Sequence, residues 1–179
     1  MMLILGVDPG SLVTGFGIIE VRGTKYARIS SGVITMHPTD AVSLRLRKVY
    51  DGLLVVIDEH HPDEFCIETA FYGKNIQSTL KLGQVRGVAM LAAVHRQLGI
   101  TEYSPREVKR AVTGSGAAAK QQVEYMVKAI LGIREGFAKS DEADGLALSI
   151  CHAMHLFEAK KSTGGWEKFV ADNPERIRT

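Results

Sequence analysis

The apolar positions along this chain follow two rhythms. Met2 to Val7 is a near-continuous apolar run, the pattern of a strand buried on both faces. Asp8-Pro9-Gly10-Ser11 is a turn. Thr14 to Val21 and Tyr26 to Met36 predict the next two strands, joined around Arg22-Gly23-Thr24-Lys25. The period then changes. Pro38-Thr39-Asp40 signals a helix start, and Val42, Leu46, Val49, Leu53, Val56 and Ile57 recur at helical spacing up to His60-His61, which read as helix-end residues before Pro62. Asp63 to Glu68 predicts a fourth strand. A loop, Thr69 to Asn75, leads into a long helix from Ile76 to Leu98, and Ile100 to Tyr103 predicts a fifth strand. Ser104-Pro105-Arg106-Glu107 is a capping box with proline at the first helical position, so a short helix follows until Gly114-Ser115-Gly116. Ala117 to Leu131 predicts another helix, closed by Gly132. The last main helix runs from Asp141 to about Lys160, where Ser162-Thr163-Gly164-Gly165 is expected to end it. The order of elements describes a mixed α/β sheet with helices on its faces. It forms one domain over residues 1–160, followed by a flexible or lightly docked tail, 161–179.

Composition narrows the classes. A chain of 179 residues with 45% hydrophobic content can bury a real core. A net charge of +2 excludes a polybasic arm, so nucleic-acid binding must come from a local basic face. Cys66 and Cys151 lie far apart in apolar stretches and fit neither zinc spacing nor a disulfide framework; they read as reduced core residues of a cytoplasmic protein. The first apolar run is broken by Gly6 and Asp8, which argues against a signal peptide or a membrane span.

The candidate chemistry is acidic. Two apolar strands end in carboxylates, Asp8 and Glu68, and a carboxylate at the end of a central strand is costly without a cationic partner. Parallel neighbours would bring both to one carboxyl edge, where α/β sheets place their sites. Asp141 and Asp144, three apart, share a face of the last helix. That face continues through Leu148, Cys151 and His155, so Asp144 heads a stripe directed at the sheet. Glu142 lies about 100° away and reads as solvent-facing. Taken singly, Asp8 suits a Pro-Gly turn, Glu68 a strand end and Asp141 a helix dipole. Together the four suggest a divalent-metal site, and hard oxygen ligands favour Mg²⁺ or Mn²⁺ over zinc. Two such ions would serve phosphodiester hydrolysis. His152 and His155, about 16 Å up the helix axis, read as packing residues.

Longer motifs then add to this reading. Asp8-Pro-Gly-Ser-x-x-Thr-Gly-x-Gly17, Ile67-Glu68, Lys81-Leu-Gly-Gln-x-Arg-Gly-Val88 and Asp141-x-x-Asp144-x-Leu-Ala147 resemble, in order, the RuvC-type Holliday junction resolvases over roughly residues 2 to 158. The resemblance implies an RNase H-like fold, a five-stranded mixed sheet flanked by helices. It implies a homodimer that nicks four-way DNA junctions symmetrically in recombination and repair, leaving 5′-phosphate and 3′-hydroxyl ends. It also implies Mg²⁺ held by Asp8, Glu68, Asp141 and Asp144, with Mn²⁺ as a substitute, and a branch-migration helicase of the RuvA and RuvB type as partner. Some relatives carry His at the place of Asp141; this chain does not. By the same resemblance Phe71 stacks on or wedges bases near the cut, and Lys109 and Lys120 contact the scissile region. Lys74, Lys81, Arg86, Arg106 and Arg110 would extend the basic surface. Gly83, Gly87, Ala89, Ala92 and Ala93 read alone as internal packing, but the family dimerises in this part of the chain.

Three rival readings remain at this level. An actin-like ATPase or sugar kinase also places Asp-x-Gly after a strand, but needs a second phosphate loop that this chain lacks. A catalytically idle nucleic-acid binder would be expected to lose one of the acids. A resolvase-like nuclease that processes RNA is disfavoured by the Lys81 to Val88 helix and the Phe71 loop.

Overall fold

Alternation along the two central strands decides which face of the sheet carries chemistry. In the computed structural model, which describes residues 1–69 and 76–172 with side chains as far as Glu158, the first strand is β1 (Met2–Asp8). β2 (Val13–Arg22) and β3 (Lys25–Thr35) follow as antiparallel neighbours. β4 (Glu64–Glu68) and β5 (Ile100–Tyr103) add on the other side in parallel, giving the order β3-β2-β1-β4-β5. This is the expected five-stranded mixed sheet. In β1 the residues Leu5 and Val7 face one way and Ile4, Gly6 and Asp8 the other; in β4 Phe65 and Ile67 oppose Glu64, Cys66 and Glu68. Because β1 and β4 are parallel, with Val7 opposite Ile67, both terminal acids leave the sheet at one edge and on one face.

Two cores form, one on each face. Leu5, Val7, Phe65 and Ile67 pack against α1 (Val42–His60) and α2 (Ile76–His95). Ile4 and Cys66 pack on the opposite face with α3 (Pro105–Thr113), α4 (Lys120–Leu131) and α5 (Ser140–Asp172). Both cysteines are fully buried thiols. The predicted capping box is present: the Ser104 side chain accepts from the Glu107 N–H, and the Glu107 carboxylate accepts from the Ser104 N–H at 2.7 Å. His61 caps α1 in the left-handed conformation, its N–H returning to the Ile57 carbonyl.

Three boundaries differ from the sequence reading by more than one residue. α4 begins at Lys120 rather than Ala117, because Ala119 is extended. α2 ends at His95, and Gln97 turns the chain with φ 59°. α5 continues through Ser162-Thr163-Gly164-Gly165 to Asp172. Glycine and serine lower helix propensity by only about 1 kcal/mol or less each, and no proline interrupts the segment before Pro174. The start of the expected tail therefore has helical backbone, and residues 173–179 lie outside the described part. Phe71 and Lys74 also lie outside the described residues.

Candidate metal centre

The site is assembled where α5 meets the ends of β1 and β4, and glycine allows that meeting. A Cβ on Gly15 would stand 2.0 Å from the Asp141 carbonyl oxygen, and one on Gly17 would stand 2.5 Å from the Leu146 nitrogen. Gly15 pairs with Asp8 across the sheet. The N-terminal turn of α5 thus rests directly on backbone at the residue next to the β1 acid. Ser149 fixes the register by donating its hydroxyl to the Gly17 carbonyl at 2.7 Å. The Thr14-Gly-x-Gly17 part of the opening motif is in this sense a helix seat.

That seat brings three carboxylates together. Oxygens of Asp8, Asp141 and Asp144 lie within 4.8 Å of one another. Glu68 joins through a hydrogen bond with Asp8, so the four predicted acids converge as three plus one. Burial, then the charges of Asp144 and Asp141, push the Asp8 carboxyl up to about 6. Burial, then Asp8 and Asp144, push Glu68 up to about 8. Burial also raises Asp144, against the opposing pull of Lys120. Burial and mutual repulsion favour the protonated forms of acids crowded in this way. The donor set is all carboxylate oxygen, which suits a hard divalent cation. The residues present fit such an ion.

Two lysines flank the acids. Lys120 donates to the Asp144 carboxylate at 2.6 Å, and Lys109 is the cation that favours the ionised form of Glu68. A cleft of about 230 Å³ is lined by Asp8, Glu68, Lys109, Lys120 and Asp144 above the apolar Val108, Val123 and Ala147. A lysine in the first turn of a helix opposes the macrodipole, so Lys120 owes its position to the acids rather than to α4.

Other predicted residues are placed differently. Arg86 is turned inward and only partly exposed: its Nε–H donates to the Glu68 carbonyl at 3.2 Å and its guanidinium pairs with Glu102 on β5. Lys81 and the glycines of α2 lie on exposed positions of that helix, whereas Ala89, Ala92 and Ala93 are wholly buried in the core. The expected cluster of small residues therefore splits between two faces. His152 is buried, its Nδ1 2.8 Å from the Tyr103 hydroxyl and its Nε2 3.5 Å from Glu64, so it packs as expected, remote from the acids. His155 is exposed instead of continuing the inward stripe. Glu142, expected in solvent, accepts from the Ser31 hydroxyl at 3.2 Å and from the Lys139 N–H at 3.3 Å. It ties the start of α5 to β3. A glutamate two residues into a helix whose preceding N–H groups need acceptors was the available signal.

Among the described residues no helix is long and apolar enough to cross a membrane. The model of the family described as crossover junction endodeoxyribonuclease RuvC matches residues 4–152. A relative of that name from Salinibacter ruber is 44% identical over 98% of this chain and 99% of its own length, and one from Cytophaga hutchinsonii is 42% identical over 99% and 88%. Thermus thermophilus RuvC, solved in complex with a Holliday junction substrate, superposes with a TM-score of 0.82 at 30% identity over 87% of this chain and 95% of its own. A yeast mitochondrial Holliday junction resolvase, 13% identical with a TM-score of 0.58, shares the fold. The seated α5, the four converging acids and these matches lead to one assignment: the chain belongs to the RuvC family of crossover junction endodeoxyribonucleases, metal-dependent nucleases of RNase H-like fold.

Proposed function

We propose that this chain resolves four-way DNA junctions by paired, symmetric hydrolysis of phosphodiester bonds, leaving 5′-phosphate and 3′-hydroxyl ends. The observation that carries this reading is the cluster of Asp8, Asp141 and Asp144, joined by Glu68, beside a cleft that Lys109 and Lys120 line, in a chain of this family. These four residues would hold Mg²⁺, with Mn²⁺ as a substitute, most simply as two ions. The bound cation supplies an acidified water and neutralises charge on the phosphate. The chain's own residues bind and orient. Asp8 and Glu68 would hold the cation in their ionised forms, because a proton and a cation compete for the same oxygens. Lys120 and Lys109 face the cleft, where their ammonium groups attract a phosphate and balance the charge that builds on it. Phe71 and Lys74, which follow β4 in the sequence, would meet the opened bases and backbone beside the cut.

A two-fold substrate calls for a two-fold enzyme, and α2 offers the surface for one. Ile76, Leu80, Gly83, Gly87, Leu91 and Val94 recur at spacings of three and four on its outer side; Leu80 is 63% exposed and Val94 56%. A Cβ on Gly83 or Gly87 would touch nothing within 4 Å in the single chain, which leaves room for a second copy to approach closely. The homodimer acts in the cytoplasm during recombination and repair, alongside a branch-migration helicase of the RuvA and RuvB type.

The test is a gel assay of synthetic four-way junction, duplex and single-stranded DNA with and without Mg²⁺. The expected result is nicking of opposed junction strands only with metal. Equal cutting of linear duplex, or cutting in chelator, would overturn the reading.

A further inference from the structure

Arg86 is a cation on the dimer-bearing helix whose guanidinium turns inward, toward a catalytic strand. Its side chain is 21% exposed. The Nε–H bonds the main-chain carbonyl of Glu68, and the other end of the fork pairs with Glu102 on the neighbouring strand β5. On the β5 side, the Thr69 N–H donates to the Tyr103 carbonyl at 2.8 Å. The last residue of β4 is thus fixed from the helix and from the next strand, just where its side chain enters the metal cleft. Arginine is suited to this task because its planar fork can serve a carbonyl and a carboxylate at once. The position next to Gly87 matters too, since Gly87 lies on the outer stripe of α2 and Arg86 reaches the site from the same turn.

We infer that Arg86 is a positioning residue: it holds Glu68 in register with Asp8 and ties the metal site to the helix on which the second copy docks. This rests on the proposed reading of the site and goes beyond it, by giving Arg86 a role other than contact with DNA. A fold staple alone predicts lost stability with an unchanged site. Contact with DNA predicts weaker, less salt-dependent binding. A positioning role predicts weaker metal binding with neither change in the DNA term.

The experiment uses the full chain and the variants Arg86→Lys, Arg86→Gln and Glu102→Gln. Mn²⁺ affinity is measured by calorimetry without DNA, junction affinity in chelator is followed against salt, and cleavage is followed against Mg²⁺. Arg86→Gln is expected to weaken Mn²⁺ binding about tenfold or more, the usual size of effect for a residue that orients a ligand. Arg86→Lys should weaken it nearly as much, because a lysine cannot bridge both partners. Glu102→Gln should give a smaller loss, and its combination with Arg86→Gln no further loss. The slope of log affinity on log salt should stay as in the parent. Unchanged Mn²⁺ affinity in a folded Arg86→Lys protein would overturn the inference, and so would a salt slope reduced by about 0.9, the value of one phosphate contact. Failure of the parent to cut junctions would instead count against the proposed function, so the two outcomes are separable.

Discussion

Both faces of the sheet carry a side-chain core, but the helices approach them differently at the end that bears the acids. Toward α1 and α2, bulky side chains such as Phe65, Ile67, Leu5 and Leu53 hold the layers apart and fill the space between them. Toward the start of α5, the helix comes down on the backbone at Gly15 and Gly17, where a Cβ on either strand residue would collide with helix main chain. The first kind of contact tolerates adjustment, because side chains can repack around a change in volume. The second does not, because a helix resting on main chain has one height and one register. The metal site lies on the second face. Its acids come from two strands and a helix, and only the seated helix sets the distance of Asp141 and Asp144 from Asp8 to within a few ångströms.

The largest effect should come from the acids themselves. Asp8→Asn should reduce junction cleavage by at least about a hundredfold while junction binding in chelator persists; retained cleavage would remove Asp8 from the metal site. Next in size is the seat. Gly15→Ala should cost about 1–3 kcal/mol of stability by denaturant titration, and should also weaken Mn²⁺ binding by forcing the first turn of α5 away from Asp8. The matching change on the other face, Ile67→Val, should cost about 0.5–1.5 kcal/mol and leave metal affinity as in the parent. If both variants lose metal affinity alike, the contrast between the faces fails. Smaller still, Lys120→Gln should leave the fold intact and slow cleavage. It should also lower the salt slope of junction binding by about 0.9.

How much of this was legible in the sequence follows the same division. Asp8 and Glu68 were legible because an acid that ends a buried apolar strand stands out against its neighbours. Asp144 was legible because it heads the stripe of Leu148 and Cys151, both buried as expected. The strands and the capping box at Ser104 follow from local patterns, and the structure keeps them. What was not legible depends on contacts between distant segments. The glycines of Thr14-Gly-x-Gly17 read as motif letters, since nothing near them in sequence shows that residues 141 and 146 will press on them. Glu142 read as solvated because its partner, Ser31, is 111 residues away. Arg86 read as a surface cation because its two acceptors, the Glu68 carbonyl and Glu102, become neighbours only when β4 and β5 pair. The end of α5 was missed for another reason: Gly164-Gly165 weakens a helix without forbidding it.

The sequence of this face forces carboxylates together before any cation arrives. A group with a raised carboxyl pKa makes folding harder as pH increases, because the folded chain must keep a proton that the unfolded chain releases. For Glu68 the cost is absent below about 4.5, grows as pH rises toward about 8 and is constant above that. Asp8 adds to it between 3.8 and about 6. Replacing Glu68 by Gln removes the first cost. The most direct measurement is therefore the melting temperature of parent and Glu68→Gln in chelator at pH 4.5 and at pH 8, and again at pH 8 with Mg²⁺. The predicted result is equal melting at pH 4.5 and a variant several degrees more stable at pH 8. With Mg²⁺ the parent should gain more than the variant, which has lost a ligand. A variant less stable than the parent at pH 8 in chelator, or one stabilised equally by Mg²⁺, would contradict the claim.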